Sequence, residues 1–214
     1  MKRTTIIFFA LLALAACKDD KSKPQVETTV AAASTGTASA AAPMPDSATM
    51  EKNWQVYMTP GTEHQQMAKW NGRWNAEVTM WESASAKPFS ATMQAKNEMI
   101  LGGRYQRSLN TGKMMGMDFE GISVTAYDNA RKMFISNWID NMGTGIMNME
   151  GTWDEATKTI NFTGKAVNPK TYREENVRET FTIMDDDHQL LQMYSRDADG
   201  KEYKSMQIHY TKQK

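Results

Sequence analysis

Short segments in which apolar and polar residues alternate fill most of the chain after Gly72. Val177, Phe181 and Ile183 fall on one face of such a segment, and Met206 and Ile208 on one face of another. A period of two residues is typical of β-strands that are buried on one side. No segment among them has the length and periodicity of a helix, which argues against a βαβ fold.

The alternating segments predict about ten strands, separated by turns such as "DNARK", "DEATK" and "DADGK", in which Asp, Asn and Gly favour turn conformations. Before them, "TPGTEHQQMAKW" predicts a short helix with Thr62 as N-cap and Gln65 as its capping-box partner. The predicted strands are Arg73–Glu82, Phe89–Ile100, Tyr105–Leu109, Phe119–Tyr127, Met133–Asp140, Thr144–Trp153, Thr159–Gly164, Val177–Met184, Leu190–Ser195 and Tyr203–Tyr210.

The predicted strand Met133–Asp140 carries apolar residues on both faces, with Ile135 and Ile139 on one and Phe134 and Trp138 on the other. A closed barrel whose outside is partly covered explains this pattern, and closure leaves no exposed sheet edge. The sequence therefore predicts an all-β protein, an antiparallel up-and-down barrel. A β-sandwich is the alternative.

The N-terminal segment has the pattern of a lipoprotein signal peptide over residues 1–16. Lys2 and Arg3 precede an apolar stretch that is too short to span a membrane as a helix, and "LAA" leads into Cys17, the single cysteine of the chain. This pattern resembles a bacterial lipobox, which implies lipidation of Cys17. We expect the protein to be anchored in a membrane through that lipid.

Residues 17–53 are rich in Ala, Ser, Thr and Pro and poor in large apolar side chains, so they are expected to form a disordered tether. The barrel domain is then predicted over residues 54–214. By resemblance to enteric lipoproteins, Lys18 after the lipidated position favours the periplasmic face of the outer membrane.

Lys and Arg together number 25 and Asp and Glu together number 25, for a formal net charge of zero. Without a basic excess, nucleic acid is not an expected partner. The charge balance leaves the oligomeric state open.

Three stretches, "MILGGRY", "MMGMDFEGISVTAYDNARKMFISNWIDNMGTGIMNMEGTWDEATKT" and "DGKEYKSMQIHYTK", closely resemble family 1579 of the bacterial domains of unknown function. The resemblance covers about Thr59 to Lys212. It implies a compact antiparallel barrel similar to the lipocalins and fatty-acid-binding proteins, whose first strand carries a Gly-x-Trp like Gly72-Arg73-Trp74. The family carries no established reaction, and we expect no cofactor.

Methionine is abundant, with 18 residues, and Met114, Met115 and Met117 stand within four positions. With Met142, Met147 and Met149 they could form a thioether site for Cu(I), which prefers soft ligands. Alternatively, methionine fills irregular apolar space, and Gly112 and Gly116 make the run a mobile hairpin at the barrel rim. We favour the rim, because no histidine lies nearby.

Glu120 and Glu150 stand in the similar segments "MDFEG" and "MNMEG". They could form a carboxylate pair, with Arg104 or Tyr127 as partner, that holds a polar head group or performs acid–base chemistry. Solvent-facing or salt-bridged rim residues are the alternative, and we expect no enzyme.

The three histidines have no metal-ligand spacing, and alternation turns His209 outward. The sequence thus favours a barrel that binds a small apolar or amphipathic ligand, over a solid-cored structural or interaction domain of the cell envelope. The candidate ligand-binding residues are Met114, Met115, Met117, Glu120, Tyr127, Trp138, Met147, Glu150 and Arg104.

Overall fold

The computed structural model describes residues 43–197 and 199–214, and one compact unit spans Pro45–Lys214. Two helices precede ten strands. The helices are α1 (Ser47–Met58) and α2 (Thr62–Lys69). The strands are β1 (Gly72–Met80), β2 (Phe89–Ile100), β3 (Tyr105–Met114), β4 (Met117–Asp128), β5 (Met133–Asp140), β6 (Met147–Asp154), β7 (Thr159–Asn168), β8 (Arg173–Ile183), β9 (His188–Arg196) and β10 (Glu202–Lys212).

The ten strands form a closed antiparallel barrel of up-and-down topology. Each strand pairs with its neighbours in sequence, and β1 closes the barrel by pairing with β10, as Val78 does with Ile208. The predicted fold class is therefore confirmed. The register is regular except between β9 and β10, where it shifts between Lys204 and Met206.

Helix α2 packs at one end of the barrel and contacts β2, β3 and β4. Its Met67 is fully buried, and the indole N–H of the fully buried Trp74 donates to the carbonyl oxygen of Trp70 at 3.0 Å. Met67 and Trp70 join Phe134, Ile160 and Phe162 in one apolar cluster. This end of the barrel is closed by packed side chains.

Inward-facing glycines make room for large side chains inside the barrel. A Cβ built on Gly121 would come closer than 3.0 Å to two carbons of the Trp138 ring. A Cβ on Gly151 would meet the backbone of Asn161 and the ring of Phe162 in the same way. The glycines of the two Glu-Gly segments therefore mark close approach, one of the reasons for which strands contain glycine.

Two details of the helices correct the sequence-based expectations. The N-cap of α2 is Gly61 rather than Thr62, and its backbone N–H donates to Nδ1 of His64 at 3.0 Å, so His64 takes the place expected for Gln65. Helix α1 begins at Ser47, so the last residues of the predicted tether are helical. Neither α1 nor α2 is long and apolar enough to span a membrane.

Candidate functional site

The interior of the barrel has two different walls. In the closed strand order, β4 and β9 are five strands apart in either direction and therefore lie opposite each other. The middle inward positions of β3 to β5 carry hydroxyl and amide side chains between aromatic ones, whereas the middle inward positions of β8 to β10 are apolar apart from Glu179. An interior of this kind suits a molecule with both polar and apolar parts.

Hydroxyl and amide side chains form the polar wall on β3 to β5. Thr125 and Ser136 face each other across β4 and β5, with 3.3 Å between their hydroxyl oxygens. The side-chain amide of Asn110 donates to the Ser108 hydroxyl at 3.0 Å. Ser123 continues this wall on β4 and stays half-buried. These groups largely satisfy one another while keeping some accessible surface.

Phe181, Leu191, Met193, Met206 and Ile208 form the apolar wall on β8 to β10. All five are only half-buried although they face into a closed barrel. Phe181 and Met193 pack against the cluster around Phe134, and Met206 and Ile208 pack against the cluster around Phe119, so each side chain has both packed and accessible surface. These inward-facing side chains therefore keep some surface that a ligand could contact, whereas Trp74 keeps none.

Glu179 lies within the apolar wall, between Val177 and Phe181 on β8, and pairs with Met193 of β9. Its side chain is only 9% exposed. Burial raises the pKa of Glu179 from 4.5 to about 7, and no hydrogen bond or charge offsets that effect. An unpartnered carboxyl group in such a place is expensive and is a mark of functional sites.

Tyr210 of β10 is a titratable group whose pKa is affected by the charge of Glu179. Burial, and after it the charge of Glu179, raises the pKa of the Tyr210 phenol above its usual value of 10.0. The ring is nevertheless half-buried, so part of it borders accessible space. Glu179 and Tyr210 are therefore two polar groups on the apolar side of the interior.

Other charged side chains on inward-facing positions of the described strands lie at strand ends. Asp140 at the end of β5 accepts the indole N–H of Trp138 at 2.7 Å. Lys212 at the end of β10 donates to the Lys69 carbonyl oxygen at 3.3 Å, and Arg173 and Glu175 lie exposed at the start of β8. Among the described residues, no cation neutralises Glu179.

The outer surface carries an open groove of about 750 Å³ over β6 to β9. Most of its charged side chains are in ion pairs: Arg178 donates to Glu202 at 2.7 Å, Lys165 donates to Glu174 at 2.7 Å, and Glu150 accepts from Arg131. A second pocket, of about 730 Å³, lies outside α2. Because most of the groove's charges are already compensated, the unpartnered Glu179 marks the better candidate site.

The methionine run forms the turn between β3 and β4, at the end opposite α2. Met114 pairs with Met117, and the two residues between them both have positive φ angles, 52° at Met115 and 82° at Gly116. This is a tight two-residue hairpin turn. Gly112 is not part of a hinge, because a Cβ there would collide with Met93.

The wider methionine set does not assemble into one site. Met114 packs in the cluster that contains Phe119, whereas Met147 and Met149 belong to the cluster around Phe134. Through Trp138, Met147 aligns with Ser123, which is six residues, or roughly 20 Å, along β4 from Met117. Met147 therefore lies too far from Met117 for both to bind one copper ion.

Glu120 and Glu150 do not form a carboxylate pair. Both point outward and are exposed. The backbone of Glu120 pairs with Asn141, whereas Glu150 pairs with Ile135, which places the two glutamates roughly 20 Å apart along the sheet. Hydrogen bonds from Arg131, at 2.9 and 2.6 Å, hold the pKa of Glu150 below its usual value.

The remaining candidates have structural contacts. Arg104 lies in the turn after β2 and donates to the Met58 carbonyl oxygen at 2.8 Å, which caps the end of α1. Tyr127 faces inward, packs against Phe134 with 5.0 Å between ring centres, and has its pKa raised by burial. Trp138 also faces inward and stacks on Phe119 at 6.3 Å.

His209 points outward, as predicted from alternation, and contacts Gln207. The described residues contain no group of three or more His, Cys, Asp or Glu side chains that could hold a metal ion. Cys17, the predicted lipidation site, lies outside the described residues.

Sequence reasoning missed Glu179, although its signal was present. Glu179 has the same alternation parity as Val177, Phe181 and Ile183, so the pattern that defined the inward face of β8 also placed a carboxyl group on it. Attention to polar residues within an apolar stripe would have identified it.

Comparison with known proteins adds one match. A family model described as "Protein of unknown function (DUF1579)" matches residues 59–212, which cover α2 and the whole barrel. No curated protein matches the chain.

Proposed function

This chain belongs to the DUF1579 family of proteins of unknown function, and on that premise we propose that its barrel binds a small amphipathic ligand in its interior. The observation that carries the proposal is the accessible surface on inward-facing side chains of β8 to β10. Barrels of this size either fill their interior with side chains or hold one small ligand. The half-buried apolar wall favours the second case.

The two walls give the ligand its expected character. The apolar wall contacts a hydrocarbon portion, and the hydroxyl groups of Ser123, Thr125 and Ser136 on the opposite wall contact polar atoms. A few polar groups in a mainly apolar pocket fix the orientation of a ligand. The exposed Met115 and Met117 lie beside the end of the barrel that α2 leaves free, where a ligand would enter.

Uptake of a neutral fluorescent apolar dye tests this proposal, with Ser123→Leu as the variant that fills the interior. Ser90→Leu is the matched control, because Ser90 is exposed on the outer face of β2. We expect Ser123→Leu to lose most of the dye binding and Ser90→Leu to keep it. Equal binding by both variants would place the dye on the outer surface and contradict the proposal.

Ser123→Leu also distinguishes ligand binding from the alternative function, a solid-cored structural or interaction domain of the cell envelope. That alternative is favoured by the exposed apolar side chains of Ile139, Met142 and Ile146, which are 42%, 43% and 64% exposed. In a solid barrel, wild type binds no dye and Ser123→Leu destabilises the fold by about 1–3 kcal/mol through overpacking. Native mass spectrometry of protein purified from its host then shows an empty barrel.

The proposal includes a lipid anchor at Cys17 and a tether that lets the barrel reach away from the outer membrane. Its support is the sequence pattern before Cys17. Labelling of cells with a radioactive fatty acid tests the anchor. We expect incorporation into wild type and none into Cys17→Ser, and equal labelling of both would contradict it.

A further inference from the structure

Glu179 is a buried carboxyl group in the apolar wall, and packing with its neighbours does not explain it. Its neighbours Val177, Phe181 and Met193 are apolar and form the inner surface of the barrel. Replacing a buried ionisable group by an apolar one of similar size is commonly neutral or stabilising. Glu179 therefore does not serve stability, and a function must come from what it can bind.

The surroundings of Glu179 decide which ligand group would match it. Tyr210 is the titratable group on which its charge acts, and the inward-facing Asp140, Arg173, Glu175 and Lys212 lie at strand ends. No described cation or hydrogen-bond donor satisfies the carboxylate. The missing partner is thus a positive charge with N–H donors, because charge-assisted hydrogen bonds are the strong ones.

A metal ion is a poor match for this position. The described residues offer no cluster of three ionisable ligands around any point, and one carboxylate does not complete the six or more oxygen ligands that Ca²⁺ takes. An organic ammonium group needs only a few hydrogen bonds, and its hydrocarbon chain suits the half-buried Leu191, Met206 and Ile208.

We infer that Glu179, with Tyr210 nearby, forms a head-group site inside the barrel for an amphipathic amine, a molecule with one ammonium group and an apolar chain. The inference rests on the proposed interior binding function and names the class of ligand. The ammonium group contacts Glu179, and the chain lies along the wall of β8 to β10.

Titration calorimetry with octylamine, octanol and octanoate tests this inference, because the three probes share one chain and differ in the head group. An alkyl ammonium keeps its proton through neutral pH, since amines of the lysine type titrate at about 10. We expect wild type to bind octylamine about tenfold more tightly than octanol at about pH 8. The preference shrinks at about pH 6, where Glu179 gains its proton.

Glu179→Gln removes the charge and keeps the shape, and Glu77→Gln is the matched control because Glu77 is exposed on the outer face of β1. We expect Glu179→Gln to bind octanol like wild type and to lose the preference for octylamine. Glu77→Gln keeps that preference. Binding of octanol with no preference for octylamine, or a preference that survives in Glu179→Gln, overturns the inference and leaves interior binding intact.

Failure of the underlying proposal gives a different result. If neither octanol nor octylamine nor the neutral dye binds to folded wild type, the interior takes no ligand, and both the proposed function and this inference fail. If octanoate binds best, the interior accepts amphipathic molecules but selects the opposite charge, which also overturns the amine site.

Discussion

The two ends of the barrel use methionine and tryptophan side chains in opposite ways. At the α2 end, Met67 and Trp74 are fully buried and Trp70 is 5% exposed. At the other end, Met115 and Met117 stand in and beside a tight turn and are 63% and 53% exposed. The presence of methionine or tryptophan therefore does not show whether an end of the barrel is packed or accessible.

The difference follows from what covers each end. Helix α2 lies against β2, β3 and β4 and supplies the apolar side chains that bury Phe134 and Ile160. The described turns at the opposite end supply no such element. The interior next to the rim also has a core, in which Ala76, Val78, Met93 and Phe119 are buried together, so the two ends differ in the helix that covers only one of them.

Trp74→Ala tests the closed end and has the largest expected effect. The indole ring is fully buried, and its N–H bonds to the Trp70 carbonyl oxygen. Removing it creates a cavity that costs about 3–5 kcal/mol in the free energy of unfolding, measured by urea denaturation. Trp81→Ala, just after β1 at the other end, is the control and should cost less. Equal costs would show that both ends are packed alike.

Glu179→Gln tests the buried carboxyl group that has no partner inside the barrel. Glu179 keeps its proton in the folded protein up to about pH 7, whereas its ordinary pKa is 4.5. Between these values the unfolded chain binds fewer protons, so stability falls as pH rises through this window. The loss is on the order of 3 kcal/mol, is absent below about pH 4.5 and is complete above about pH 7.

The Gln variant should therefore be more stable than wild type at about pH 8 and equally stable at about pH 4.5. Thermal unfolding at the two pH values measures both differences. Glu77→Gln, on the outer face, should change neither. A Glu179→Gln variant that is less stable at pH 8 would mean that the carboxylate has a stabilising partner, which would also weaken the case for an amine site.

Gly121→Ala tests how closely the inward face is packed next to the rim. A Cβ at Gly121 collides with the Trp138 ring, which is held by its bond to Asp140 and by Phe119. We expect a loss of about 1–3 kcal/mol in the free energy of unfolding. Gly143→Ala is the control, because a Cβ at Gly143 meets nothing within 4 Å. A neutral Gly121→Ala would show that Trp138 moves freely.

The sequence predicted the barrel well because alternation is a direct consequence of strand geometry. All ten strands were found, and the errors lie at their ends: β3 continues from the expected Leu109 to Met114, and β8 begins at Arg173 rather than Val177. These extensions consist of polar residues in hairpins, where pairing continues after the apolar pattern has ended. Helix α1 was not predicted at all, although Asp46 caps it by accepting the Thr49 N–H at 2.7 Å.

The site was predicted less well because a sequence motif does not show which of its side chains face into the barrel and which face outward. The repeated Glu-Gly segments drew attention to Glu120 and Glu150, but both carboxylates face outward, and the glycines face inward to admit Trp138 and Phe162. Glu150 is paired with Arg131, a residue that no motif connects with it. Which charges find a partner depends on the register of distant strands, which the sequence pattern does not specify.

The Met114/Met115/Met117→Leu triple variant tests the accessible rim and has the smallest expected effect. Met115 and Met117 are exposed, and Met114 is half-buried near Phe119. A swap of Met for Leu conserves volume and should cost less than about 1.5 kcal/mol in the free energy of unfolding. Thermal unfolding with and without Cu(I) measures this cost and also tests the thioether hypothesis for these three residues.

A Cu(I)-dependent stabilisation of wild type that the triple variant loses would make the rim a metal site. Without such a shift in wild type, the methionines form an adaptable apolar rim, and the contrast between the two ends of the barrel is one of packing alone.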